Sequence, residues 1–131
     1  LSQQDIFHGS LLENITMGNN NIGMDEISYW VEKLGLKSFI SSQKYGFDTQ
    51  LDPLGDHLPG NVVRKILLLR ALINKPRLIL LEEPWLGFTD EVKIKIQEAL
   101  INNTAGSTVM VISNDESFAS KCSKRVQLNR Q

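Results

Sequence analysis

Cysteine occurs once in the 131 residues, at Cys122, which excludes an internal disulfide and suits a reducing compartment. No apolar run approaches the roughly 20 residues that a bilayer-crossing helix requires. The first residues lack the basic, apolar and small-residue regions of a signal peptide. Charge of one sign is lacking too: 14 basic residues face 15 acidic ones, a net charge of -1. No global field therefore directs the chain to nucleic acid or to an anionic membrane surface. Internal repeats and low-complexity tracts are absent. His8 and His57 have no partners at metal-ligand spacing and read as surface or loop residues. The chain opens on Leu1, Ser2, Gln3 and Gln4 rather than on methionine, as a piece of a longer protein would.

What is present is organised around LILLEEP, Leu78 to Pro84. Four aliphatic residues run into two carboxylates and a proline. A strand covered on both faces cannot alternate apolar and polar residues, so the run predicts a fully buried strand with Glu82 and Glu83 at its carboxyl end. In open α/β sheets, ligands sit outside the carboxyl ends of such strands. Upstream, Leu11 to Ile15 predicts a turn of helix, followed by loop residues Asn19 to Gly23. Ile27, Trp30, Val31 and Leu34 recur at helical spacing over 24–34, with Asp25 and Glu26 in the first turn and Gly35 at the C-cap. A short helix is expected over 36–42. The Gly-, Pro- and Asp-rich stretch 44–60 reads as an ordered loop anchored by Tyr45, Phe47 and Leu51.

From Asn61 onward, Val62, Ile66, Leu69 and Ile73 share one face, widened by Val63, Leu67 and Leu68, so the helix is expected to be largely buried. Asn61 is its expected N-cap and Pro76 closes it. Its Lys and Arg residues, with those up to 77, are read as its solvated side. A helix over 90–103 facing inward through Val92, Ile96 and Leu100 is expected next, then a buried strand over 108–113. A short helix over 116–122 and a last strand over 125–128 complete the order. Helices alternating with strands over short connections predict parallel strands joined by right-handed crossovers. Tyr29, Trp30 and Phe39 are assigned to the core of the first half, and Cys122 to packing.

The order of these motifs resembles the C-terminal two-thirds of the nucleotide-binding domain of ATP-binding cassette transporters, exporter type. SQQDIFHGSLLENI resembles the family's Q-loop, LPGNV its LSGGQ signature, VRKILLLRAL its RQRIALARAL helix, LILLEEP its Walker B strand, and VMVISND its switch strand. The implied fold is α/β: part of a P-loop NTPase (RecA-like) three-layer core with parallel strands, plus an α-helical subdomain. The implied division is a Q-loop region over 1–18, a helical subdomain and signature loop over 19–60, and a RecA-like half over 61–131. The implied cofactors are ATP and magnesium. Glu83 stands at the catalytic glutamate that polarises water, Glu82 at the magnesium-orienting acid, and Gln3, with Gln4 as the alternative, at the glutamine that reaches magnesium and water. Pro59, Gly60 and Asn61 stand at the phosphate-binding signature, and Asn114 at the switch histidine.

The departures are specific. Pro59 replaces the signature serine and brings neither hydroxyl nor N–H. Asn61 and Val62 replace the second glycine and the glutamine. Glu82 replaces an aspartate, one methylene shorter. Leu86 and Thr89 replace the serine and aspartate of the D-loop. Asn114 can donate a hydrogen bond but cannot carry imidazole's proton, and a strand-end or helix-cap role for Asn114 or Asp115 is equally open. No G-x-x-x-x-G-K-[ST] occurs, so nothing here cradles the β- and γ-phosphates. The resemblance implies a module that hydrolyses ATP to drive solute export and is inactive as these residues alone. The alternative is a degenerate, non-hydrolysing partner domain in a heterodimeric transporter. The implied partners are a transmembrane domain and a second nucleotide-binding domain, identical or different, with no nucleic acid. The implied location is the cytoplasmic side of the cell membrane.

Overall fold

The computed structural model describes residues 6–53, 58–102, 104 and 106–128. Strand β1 (Gly9–Ser10) leads into α1 (Leu11–Thr16), and β2 (Gln50–Leu51) pairs with β1 antiparallel, Gly9 opposite Leu51 and Ser10 opposite Gln50. Helix α1 starts on a capping box. The Ser10 hydroxyl accepts from the Glu13 amide at 2.9 Å, and the Ser10 amide donates to Glu13 Oε1 at 2.9 Å. Two donors that a helix start leaves orphaned are thereby satisfied. The Ser10 amide, and after it the Ser10 hydroxyl, hold the Glu13 carboxyl below its ordinary range.

Helix α2 (Met24–Lys33) buries Ile27, Trp30 and Val31, as their spacing predicts. It ends in a Schellman motif: Leu36 N–H donates to the Val31 carbonyl and Gly35 N–H to that of Glu32, with Gly35 at φ +70°, a conformation that glycine adopts without strain. A Cβ at Gly35 would lie 3.0 Å from Val92 Cγ2, so this turn also sets the approach of α2 to α5 (Asp90–Asn102). Helix α3 (Lys37–Ser42) and a 3₁₀ turn (Gly46–Asp48) carry the chain to β2. Of the three expected loop anchors, Leu51 is buried and Phe47 packs against the core. Tyr45 is exposed, with Lys44 over its ring, and anchors nothing inward.

Helix α4 (Gly60–Ile73) is the central element, burying nine of its side chains, Ile66 and Leu69 completely. It touches both α1 and α2. At about 1.5–3 kcal/mol for each fully buried aliphatic side chain, it supplies the largest share of the apolar driving force. Two expectations are corrected here. Pro59, not Asn61, is the N-cap: the helix begins two residues earlier, and the Pro59 carbonyl accepts from Val62 and Val63 N–H. Lys65 is not on the solvated side but only 9% exposed. Burial pushes its ammonium below the ordinary lysine range, and its Nζ rests 5.4 Å from the centre of the Phe88 ring.

Strands β3 (Leu78–Glu82) and β4 (Thr108–Ile112) pair in parallel, from Leu78 opposite Thr108 to Glu82 opposite Ile112. Ile79, Leu81, Val109 and Val111 face the core. On the other face Leu78, Leu80, Met110 and Ile112 are 52–65% exposed. The expectation that β3 is buried on both sides is therefore corrected. The aliphatic run is the pattern of a doubly covered strand, but among the described residues only one face has a cover, giving two layers where three were expected. Helix α6 (Glu116–Ser120) follows β4. Residues 124–128 form no strand; with Val126 84% and Leu128 81% exposed, they have no neighbouring strand among the described residues to complete their hydrogen bonds.

Candidate functional site

The site lies where β3 and β4 end side by side. Glu83 continues the ladder by donating its N–H to the Ile112 carbonyl at 2.8 Å. It then turns into the left-handed region at φ 40°. For a residue with a Cβ this costs on the order of 1–3 kcal/mol and persists only where the surroundings over-determine it. They do so from three sides. The carboxylate accepts from Asn114 N–H at 2.8 Å and from the Ser113 hydroxyl at 3.4 Å. The carbonyl accepts from Leu86 N–H at 3.0 Å and from Arg64 Nη2 at 3.3 Å. The side chain thus bridges the carboxyl ends of two parallel strands, the place where α/β sheets bind ligands.

The flanking residues fix this corner. Trp85 is buried edge-on against Phe118, ring centres 4.8 Å apart, pinning the turn to α6. Thr89 starts α5, its hydroxyl accepting from Val92 N–H and its carbonyl from Lys93 N–H. Asp115 caps α6 by accepting from Phe118 N–H at 2.9 Å. It also pairs with Lys93 at 2.8 Å and accepts from Gln97 at 3.1 Å. The Lys93 hydrogen bond, then the Phe118 amide, lower its carboxyl to about 2; the same contact raises the Lys93 ammonium. Ser113 links the two acids, its hydroxyl accepting from Asp115 N–H at 3.0 Å and facing Glu83 Oε2. An open groove of about 370 Å³ runs past Glu83, Phe88, Lys93 and Asn114.

Of the residues singled out in the sequence, Glu83 and Asn114 are brought into direct contact, but through the Asn114 backbone; its side chain is exposed. Of the two roles left open for Asp115, the helix cap is the one seen. Glu82 is exposed at the end of β3, and its carboxylate has no partner among the described residues. Pro59, Gly60 and Asn61 are exposed at the start of α4, and what ties that helix to Glu83 is Arg64. Gln3, Gln4 and His57 lie outside the described residues. A free carboxylate at Glu82 fits one ligand of a hard, water-retaining cation such as magnesium. The described residues hold no group of three or more His, Cys, Asp or Glu able to enclose a metal by themselves. No glycine-rich cradle for polyphosphate occurs in the 131 residues. Sequence reasoning missed Arg64, Ser113 and Lys93. The capping signal at Asp115 was legible; the reach of Arg64 to carbonyls 19 and 22 residues away left no local pattern.

No protein-family model matches the chain. Over 131 residues it is 30% identical to ABC transporter B family member 1 of Dictyostelium discoideum, covering 99% of this chain and 14% of that protein. It is 32% identical over 112 residues to ABC transporter B family member 16 of Arabidopsis thaliana, covering 86% of this chain and 9% of the relative. The chain thus spans between 9% and 14% of the length of these curated relatives. Among solved structures, a bacterial Atm1-family ABC exporter with ATP bound superposes with a TM-score of 0.69 at 20% identity, over 86% of this chain and 20% of that one. This likeness supports the fold.

Proposed function

Because the chain belongs to the ATP-binding cassette transporter family, we propose that it forms the acid-bearing half of an exporter-type ATP-hydrolysing domain. In this reading residues 61–131 are part of a RecA-like P-loop NTPase core, 19–60 the helical subdomain with the signature loop, and 1–18 the Q-loop region. The observation that carries it is Glu83: a carboxylate held in left-handed backbone at the end of one parallel strand and hydrogen-bonded to the end of the next. Strained residues of this kind cluster where geometry serves chemistry.

In the proposed mechanism Glu83 orients and deprotonates the attacking water, a general-base role. Its contacts with Asn114 N–H and Ser113 use only part of the acceptor capacity of a carboxylate. Glu82, whose carboxylate is unpaired and exposed, would hold magnesium, with Gln3 the second proposed ligand; the ion would supply positive charge to neutralise the negative charge developing on the phosphates. Gly60 and Asn61, at the start of the 14-residue α4, offer backbone N–H groups to phosphate, as helix starts do. The proposed partners are a transmembrane domain and a second nucleotide-binding domain, on the cytoplasmic face of a membrane. No described helix is long and apolar enough to cross a membrane, so the spans would belong to other parts of the assembly. Magnesium-dependent ATP turnover by the full-length protein, lowered by about 10²–10⁴-fold in Glu83→Gln, tests the proposal; turnover unchanged by that substitution overturns it.

A second reading is a degenerate domain that completes a dimer without hydrolysing ATP. It is favoured by Pro59, which occupies the N-cap of α4 with no side-chain cap hydrogen bond, where a phosphate-binding serine would offer a hydroxyl. Full-length protein that binds ATP but shows no turnover would select this reading.

A further inference from the structure

Arg64 lies one turn into α4, and its side chain leaves the helix to enter the loop after β3. Its Nη1 donates to the Leu86 carbonyl and its Nη2 to the Glu83 carbonyl at 3.3 Å. The guanidinium carbon is 5.2 Å from the centre of the Phe88 ring. A Cβ on Gly87, which sits at φ +83°, would come within 3.3 Å of Nη1. One side chain therefore contacts Glu83, Leu86 and Phe88 and crowds the space a side chain at Gly87 would fill. A planar fork of donors can bind two carbonyls at once, which an ammonium cannot, and donation from a charged group is the stronger kind of hydrogen bond.

The carbonyl of Glu83 is where this matters. Its N–H is fixed by Ile112 and its carboxylate by Asn114 and Ser113, so the remaining freedom of this left-handed residue is rotation of the peptide that follows it. Arg64 and the Leu86 amide both hold that peptide. Without the guanidinium, the carbonyl can swing away and the backbone can relax out of its strained conformation. The carboxylate would then leave the Asn114 amide.

We infer that Arg64 is the positioning residue for Glu83: its guanidinium, anchored on the central helix, holds the 83–88 turn so that the Glu83 carboxylate stays on the Asn114 amide. The catalytic meaning of this role rests on the proposed function of Glu83; the geometric role does not. It also couples the start of α4, where Pro59 and Gly60 stand, to the strand end through a single side chain.

Hydrogen–deuterium exchange of the full-length protein, with ATP turnover measured alongside, tests the inference. Arg64→Met is expected to speed exchange of the Asn114 amide at least about tenfold, as Glu83→Ala does, while amides within 66–73 of α4 exchange as in wild type. It lowers kcat about tenfold or more and leaves KM for ATP within about twofold. Arg64→Lys is expected to fall between, since an ammonium replaces the fork by a point charge. If Arg64→Met disturbs α4 as a whole, Gly87→Ala decides. Its Cβ crowds Nη1 and strains the turn without removing charge, and it must give the same Asn114 signature. Exchange at Asn114 that is unchanged in Arg64→Met with α4 intact, or unchanged in Gly87→Ala where Arg64→Met disturbs α4, overturns the inference. Absence of wild-type turnover removes only the proposed catalytic role of Glu83, because the exchange result stands apart from it.

Discussion

Single side chains join distant parts of this chain, and the most enclosed is Asn14, which is 0% exposed. Its Oδ1 accepts from Phe7 N–H at 3.0 Å, while Nδ2 donates to the Phe7 and Ser10 carbonyls at 3.0 Å each. Arg70 of α4 donates from Nε to the Asn14 carbonyl at 2.8 Å and lies 5.7 Å from the centre of the Phe7 ring. The segment before α1 is thus stitched to the central helix by one amide and one guanidinium. Removing the amide leaves the Phe7 N–H and two carbonyls without that partner. Asn14→Ala is therefore expected to lower the unfolding free energy by about 1–3 kcal/mol in urea titration. A loss below a few tenths of a kcal/mol would show that water replaces the amide. Arg70, like Arg64, belongs to the helix side that the sequence suggests is simply solvated. Both are instead spent on backbone carbonyls, and contacts made over 19 to 56 residues leave no periodic trace in the sequence.

Among the elements, α5, α6 and the end of β4 are held at one point by Asp115, which joins Lys93 and Gln97 of α5 to the first turn of α6. Its carboxyl is lowered from 3.8 to about 2, first by the Lys93 hydrogen bond and then by the Phe118 amide. A carboxyl depressed on folding contributes stability that is fully present above its unfolded value. That contribution is lost as pH falls from about 3.8 toward about 2. Asp115→Ala is expected to cost about 1 kcal/mol near neutral pH through the lost cap and to flatten the acid limb of the stability curve in that window. Acid unfolding with an unchanged slope would contradict the assignment.

The existence of these elements was legible in the sequence. Helical spacing marked α2, α4 and α5, the two aliphatic runs marked the parallel pair, and the acids after Leu81 marked the strand end. The start of α4 was misjudged because a proline that cannot donate still serves as a cap through its carbonyl. The β1–β2 pairing, two residues long, is too short for alternation to show. The strand expected over 125–128 failed because an apolar alternation becomes a strand only beside a partner.

At the scale of the molecule, one face of the parallel pair is packed and the other presents Leu78, Leu80, Met110 and Ile112. A bare aliphatic sheet face favours aggregation in water. The 131-residue chain by itself is accordingly expected to scatter light at concentrations where the double variant Leu80→Glu, Met110→Glu stays clear. Equal scattering from both would locate the aggregating surface elsewhere. In the proposed RecA-like domain this face would lie under a further layer, and the strand ends carrying Glu82 and Glu83 would look toward nucleotide.

The central claim is that the left-handed Glu83, clasped by Asn114 and carried on α4 through Arg64, activates water against ATP. Magnesium-dependent ATP turnover of the full-length protein, wild type beside Glu83→Gln, tests it most directly. The expected result is a fall of about 10²–10⁴-fold in kcat with ATP still bound, whereas turnover equal in the two proteins would contradict the claim.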